Sequence, residues 1–292
     1  MKKTIAKLLV LSLTVTAVAG LSVTASADED KVITVAASST PHAEILEAAR
    51  EALEAEGWEL EVEIFSDYVQ PNTVVAEGEI LANYFQHITY LNEFNEEYGT
   101  DLVSVAGIHY EPFGIYPGTK SSLDELEDGD VIAVPNDTTN EARALLLLEA
   151  NGILTLSEDA GLTATKNDIV SESVDVEILE VEAAQVSQYT SEVALVVLNG
   201  NYALEAGLSV SEDAIAYESS DSETAAAYVN VIAVAAGNED NEGVQALVAV
   251  LQSDEIKDYI NETYDGAVLP YEEPAEDAEA ETEAEAAETE AE

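Results

Sequence analysis

A chain of 292 residues with 47% hydrophobic content can bury one large or two medium cores, which excludes disorder as its general state. Its 61 acidic residues against nine basic ones give a formal net charge of −52, which excludes nucleic acid as a partner. There is no cysteine, so disulfides and thiolate chemistry are excluded too.

Lys2, Lys3 and Lys7 precede an apolar stretch from Leu8 to Leu21, and Ala25-Ser26-Ala27 follows it. Residues 1–27 therefore read as a secretory signal peptide with a small-x-small cleavage site. The stretch is short and interrupted by Ser12, Thr14, Thr16 and Gly20, which makes it a poor membrane span. Because no cysteine is present, Ala27-Asp28 is expected to be an ordinary cleavage junction with no lipobox, and the product periplasmic, cell-surface or extracellular. Cleavage would leave six basic residues against 61 acids. Such self-repulsion suits surroundings where salt screens charges within roughly 10 Å.

Val32 to Ala36 reads as a buried strand, leading through Ser38-Ser39-Thr40 into a helix with Pro41 in its first turn. That helix runs to about Gly57 with Ile45, Leu46, Ala49 and Leu53 on one face. Leu60, Val62 and Ile64 alternate with Glu59, Glu61 and Glu63 in a half-exposed strand ending at Ser66-Asp67-Tyr68. Ile80 to Phe85 is a short strand, His87 to Tyr98 a helix, and Leu102 to Ile108 a strand. After Pro112, Ser122 to Glu125 has capping-box spacing, and Val131 to Val134 is a strand that runs into Pro135-Asn136-Asp137. Thr138 to Glu141 repeats the capping box at the head of a helix ending at Gly152. Ala194 to Leu198 is a strand ending at Asn199-Gly200-Asn201. Val229 to Ala235 is the last long strand, followed by one helix from Glu242 to Tyr264 and a closing segment, Ala267 to Tyr271. Residues 272–292 hold 11 acids and no large apolar side chain, so they are expected to be a disordered acidic tail.

Strands alternating with helices predict an α/β protein with largely parallel sheets. Two lobes are expected, 31–110 plus 229–271 and 111–228, joined near Tyr110 to Tyr116 and Tyr217 to Asn230. Ligands of such folds sit beyond the carboxyl ends of the strands, where helix N-termini point. The segments there are Ser66-Asp67-Tyr68, Phe85-Gln86-His87, Asn136 to Arg143 and Asn199-Gly200-Asn201. Arg143 is one of two arginines and lies in the first turns of a capped helix. Backbone N–H groups, the helix dipole and a guanidinium fork could converge there on a carboxylate, or Arg143 could simply pair with Glu141 or Glu149. His87 could cap a helix or meet a ligand. Tyr68, Phe85 and Tyr90 could be core or the wall of a pocket for an aliphatic or thioether group. Asn199 and Asn201 could bind an ammonium and a carboxylate, or form a turn whose Asn-Gly-Asn run tolerates left-handed backbone.

Catalytic signatures are absent: no G-x-S-x-G, no P-loop and no H-E-x-x-H. A convergence of His42, His87 and His109 with an acid on zinc is the alternative, as a metal-dependent hydrolase or zinc-binding transport protein.

Seven segments carry a family resemblance: Phe65 to Asn72, Ala82 to Leu91, Ser122 to Leu126, Val134 to Leu148, Leu198 to Ala203, Tyr228 to Asn230 and Gln252 to Glu255. In these the chain resembles the NlpA/MetQ family of methionine-binding proteins, in the family's order. The resemblance implies a type II periplasmic-binding-protein fold whose two lobes close a ligand cleft on methionine. It also implies a monomer without cofactor and without enzymatic activity, delivering its ligand to an ABC permease. By matched position, Arg143 would hold the α-carboxylate, helped by Asn140 and Asn199, and Tyr68, Phe85, His87 and Tyr90 would line the side-chain pocket. Asn201 and Asn230 match motifs as well. The missing cysteine and the acidic tail depart from the family.

Overall fold

The computed structural model describes residues 31–220 and 222–272, apart from the side chains of Ser222 and Glu223. The expected signal peptide and the acidic tail from residue 273 onward lie outside the described residues.

The apolar run Val32–Ala37 forms β1. After a turn, α1 (Glu44–Ala55) buries Ile45, Leu46, Ala49 and Leu53, the face that their helical spacing selects. β2 (Glu59–Ile64) occupies a sheet edge and exposes Glu59, Glu61 and Glu63, charges that discourage another chain from pairing there. α2 (Gln70–Ala76), the fully buried β3 (Ala82–His87), α3 (Ile88–Tyr98) and β4 (Leu102–Tyr110) follow. The chain then crosses to β5 (Gly114–Pro117), β6 (Val131–Pro135), α4 (Thr138–Ala150), β7 (Leu154–Leu156), β8 (Ile169–Glu172) and β9 (Glu177–Val181). β10 (Leu195–Leu198), α5 (Gly200–Glu205), α6 (Val210–Asp213) and β11 (Ala216–Tyr217) complete this part. The return passes α7 (Ser222–Ala227) to β12 (Val229–Ala235), α8 (Glu242–Leu251), α9 (Asp254–Tyr264) and β13 (Leu269–Pro270).

Two sheets define two lobes. One has six strands in the order β13-β4-β12-β3-β1-β2, the other five in the order β11-β5-β10-β6-β9, and β7 and β8 form a separate hairpin. The sheets are mixed rather than largely parallel. β1 pairs in parallel with β2 and β3, and β6 with β9 and β10, as strand-helix-strand units require. β12 and β5 run antiparallel to their neighbours because each enters its sheet from the crossing, beside the carboxyl end of another strand. Thus Val229 pairs with Tyr110 at the end of β4, and Gly114 pairs with Leu198 at the end of β10. The carboxyl ends of β3, β4, β6 and β10 therefore gather near the crossing.

Each sheet is packed on both faces. Ile33, Val35, Ile232 and Val234 pack beneath α1, α8 and α9, while Phe85, Leu91, Phe94 and Val231 form a second cluster. In the second lobe Ile132, Val134, Leu145 and Val197 form the larger cluster, and Tyr116, Val186 and Val196 belong to the smaller one.

Four local expectations change. α4 is capped by Asp137, whose carboxylate accepts from the Asn140 N–H at 3.0 Å, not by Thr138 in a capping box; Glu141 instead accepts from the Lys166 N–H. Ser122 to Glu125 is only a short turn, and Glu125 bonds back to Ser121. Ser253 divides the expected helix 242–264 by capping a new one through the Ile256 N–H. Pro41 lies in the turn before α1, following an extended Thr40.

Candidate functional site

β3 continues two residues past the apolar run that marks it, because its buried polar side chains satisfy one another. Asn72 and Gln86 exchange amide bonds at 2.8 and 2.6 Å, and Asn83 joins them at 2.8 Å. The strand ends at His87, whose Nδ1 accepts from the Tyr90 N–H at 3.0 Å and so caps α3. That leaves Nε2–H to donate to Asn140 Oδ1 at 3.2 Å. Burial, then the nearby Arg143 cation, lowers His87 to a pKa of about 3, so the ring is neutral.

Asn140 is fully engaged. Its Nδ2 donates to Asp137 Oδ1, and its Oδ1 accepts both from His87 and from Asn199 Nδ2 at 2.8 Å. This relay fixes Asn199 so that its Oδ1, buried, has no hydrogen-bond partner. On the other side of Gly200, Asn201 Oδ1 accepts from the Tyr68 hydroxyl at 2.5 Å, and Asn201 Nδ2 is likewise buried without a partner.

Arg143 is 3% exposed. Its expected alternative partners, Glu141 and Glu149, are not the ones it finds. Nε and NH2 reach the Glu218 carboxylate at 2.8 and 2.6 Å, and NH2 also donates to the Glu111 carbonyl at 2.9 Å. The guanidinium lies 4.0 Å from the centre of the Tyr228 ring and 4.8 Å from that of Phe113. Burial alone would lower its pKa; the Glu218 carboxylate more than offsets this and raises it. NH1 is the guanidinium nitrogen that bonds neither Glu218 nor the Glu111 carbonyl.

These groups border one small cavity of about 20 Å³. Tyr68, Phe85, His87, Tyr90, Asn140, Arg143 and Asn199, the seven residues singled out from sequence, all line it. The aromatic wall is continuous, with ring centres 5.8 Å apart for Tyr68 and Phe85, 5.6 Å for Tyr68 and Tyr90, and 6.2 Å for His87 and Tyr90. Chemically the cavity offers an unpaired acceptor, an unpaired amide donor, a guanidinium edge and an aromatic recess. Among the described residues that line it there is no serine, threonine or cysteine to act as a nucleophile.

The profile of the family described as NlpA lipoprotein matches residues 33–272. The chain belongs to the NlpA lipoprotein family. The methionine-binding lipoprotein MetQ of Bacillus subtilis is 42% identical to this family member over 244 residues, covering 82% of this chain and 88% of the relative. Among solved structures, a lipoprotein from Ruminococcus gnavus is 67% identical with a TM-score of 0.82, covering 83% of this chain and all of its own. A nutrient-binding protein from Burkholderia cenocepacia, solved bound to methionine, is 38% identical with a TM-score of 0.78 over 82% of this chain and all of its own. An ABC-transporter periplasmic substrate-binding protein from Coxiella burnetii is 35% identical with a TM-score of 0.77 at the same coverage. No helix among the described residues of this NlpA-family chain is long and apolar enough to cross a membrane.

The three-histidine zinc set is brought together only in part. Among the described residues, His42, His109 and Glu111 place their ligand atoms within 4.8 Å of one another, without His87. In this NlpA-family chain both inner ring nitrogens already have protein partners: His109 Nε2 bonds Glu111 at 2.7 Å, and His42 Nε2 bonds Asn230 at 3.0 Å. His42 Nδ1 meets no acceptor, whereas a metal-bound histidine ordinarily donates from its second nitrogen. The trio fits a hydrogen-bonded core better than a metal centre.

Sequence reasoning passed over Glu111 and Glu218, and placed Gln86 and Gly200 in candidate strand-end segments without giving them a role. Asn201 and Asn230, noted as motif matches only, also line the cavity. Nothing marks Glu218 among 61 acids, because its role comes from a return segment that meets Arg143 across 75 positions. Gly200 carried a signal, but it was read as a turn. Its φ is not in the left-handed region, and it is the first residue of α5.

Proposed function

We propose that this protein captures methionine outside the cytoplasm and hands it to an ABC importer, without catalysing a reaction on it. The observation that carries this reading is the pair of unpartnered buried atoms, Asn199 Oδ1 and Asn201 Nδ2, on residues that line one cavity with Arg143. An unpaired buried acceptor and donor are unfavourable unless a ligand completes them, and a zwitterionic amino acid supplies both complements. In this reading Arg143 NH1 and Asn201 hold the α-carboxylate, and Asn199 Oδ1 accepts from the ammonium. Asn140 acts by positioning Asn199 and His87. Tyr68, Phe85, neutral His87 and Tyr90 surround the side chain, where aromatic faces suit a thioether. The lobes, 31–110 with 229–271 and 111–228, close about the connections between them. Methionine on the Burkholderia cenocepacia relative and the Bacillus subtilis relative's name support the choice of ligand.

Calorimetry with methionine, glutamate, lysine, methionine methyl ester and N-acetylmethionine tests this. Methionine should bind with micromolar affinity or better, about −8 kcal/mol, and each capped derivative should lose most of it. Equal binding of the ester and the free acid would overturn the carboxylate role, and absence of any response to methionine would overturn the ligand.

A further inference from the structure

Glu111 is one of two buried carboxylates among the described residues, and it lies where the chain first leaves β4 for the second lobe. On the first lobe its Oε1 accepts from His109 Nε2 at 2.7 Å, with His42 Nε2 at 3.5 Å. His109 is braced in turn by the Tyr84 hydroxyl on Nδ1, and His42 by Asn230. This side of the carboxylate is therefore fixed by β3, β4, β12 and the turn before α1.

The other side faces the second lobe. A β-carbon placed on Gly200 would stand 2.6 Å from Glu111 Oε2 and 2.7 Å from Glu111 Cβ, closer than side chains approach. Glycine is needed here by that approach and not by its backbone angles, which lie outside the left-handed region. The Asn201 backbone N–H also lies near enough to the Glu111 carboxyl to favour its charged form, against the burial that raises its pKa. The two residues flanking Gly200 carry the unpartnered atoms of the cavity, and the Glu111 carbonyl accepts from Arg143. One side chain thus anchored on the first lobe sets where the ligand-facing atoms of the second lobe stand.

We propose that Glu111 is a closure latch, a positioning residue whose carboxylate docks the Asn199-Gly200-Asn201 turn onto the first lobe when the cleft shuts. The proposal rests on the amino-acid-binding reading above. Gly200→Ala should act as a wedge, since alanine accepts this backbone conformation but not the approach. Glu111→Gln keeps the shape and loses an acceptor, because a carboxamide cannot accept on both sides.

The test is stopped-flow and calorimetric binding of methionine by the full mature chain, with small-angle scattering before and after ligand. Circular dichroism verifies that each variant is folded. Both variants should bind about 10- to 100-fold more weakly, through faster release at nearly unchanged association, and contract less on adding methionine. A merely structural role would lower the melting temperature without moving release or contraction. Gly200→Ala that releases methionine at the wild-type rate and contracts fully would overturn the latch, and it decides the matter if Glu111→Gln fails to fold. Wild-type protein with no response to any amino acid would instead sink the underlying reading.

Discussion

The ion pair between Arg143 and Glu218 allows the binding role of the arginine to be separated from its role in the fold. Their side chains are 4% and 10% exposed, so Arg143→Ala leaves a nearly buried carboxylate without its cation. Glu218 would keep the Tyr110 hydroxyl at 2.9 Å and the Phe113 N–H at 3.0 Å, which soften the loss without neutralising the charge. Breaking a buried pair in this way typically destabilises by about 3 to 5 kcal/mol. In a body of this size that lowers the melting temperature by roughly 6 to 20 °C. Adding Glu218→Gln removes the orphaned charge and should restore most of that stability while restoring none of the affinity. Loss of a charged partner to the ligand carboxylate is worth about 2 to 5 kcal/mol, or roughly 30-fold to several-thousand-fold in Kd. Calorimetry and thermal melts on the two variants separate the terms. A folded Arg143→Ala/Glu218→Gln protein that binds methionine within about threefold of wild type would refute the carboxylate role.

Three other outcomes follow from the same structure. Asn199→Ala should weaken methionine binding by about 1 to 3 kcal/mol with little change in melting temperature, since Asn140 Oδ1 keeps its bond from His87; calorimetry showing unchanged affinity contradicts the ammonium assignment. Burial lowers His42 to a pKa of about 4 and His87 and His109 to about 3, so below 6.5 the unfolded chain takes up three protons that the folded chain refuses. Burial raises Glu141 to about 7, and Glu111 and Asp137 upward as well, so these carboxyls hold protons in the folded chain and offset part of the histidine effect. With the histidines dominant, stability should fall as the pH drops from 6 to 5, and melts that are flat or that rise on acidification there refute the assignment. With a net charge of −52, the melting temperature should rise as salt increases toward about 1 M, and indifference to salt would show that surface repulsion does not limit the fold.

Period and punctuation made most elements legible: helix α1 buries the face that its spacing selects and the apolar runs of β1 and β10 are largely buried, whereas β2 buries Leu60 but leaves Ile64 exposed at the sheet edge. Capping was read less well, since Asp137, Thr138 and Ser122 all satisfy the same residue-type rule and only tertiary contacts decide which oxygen is free. Glu141 is drawn away by Lys166, which leaves the cap to Asp137. The direction of β12 could not be read from spacing, because it depends on which end of the sheet the returning chain meets. The cavity wall was legible at strand ends, where topology concentrates ligands. Its long-range partners were not, as Glu218 and Glu111 resemble every other acid until the fold buries them.

The global charge and the local site divide the work of recognition. The field of so many acids disfavours anions at long range and leaves a zwitterion without net charge free to approach. The buried arginine does not reverse that field, because Glu218 cancels it within 3 Å. Arg143 then contributes direction more than charge, since it is held between Glu218, the Glu111 carbonyl and the Tyr228 ring. In the proposed binding mode, selectivity for an amino acid would arise at hydrogen-bond range, from Asn199 Oδ1, Asn201 Nδ2 and the Arg143 guanidinium together. This is why the unpartnered asparagine atoms say more about the ligand than the rarity of arginine does.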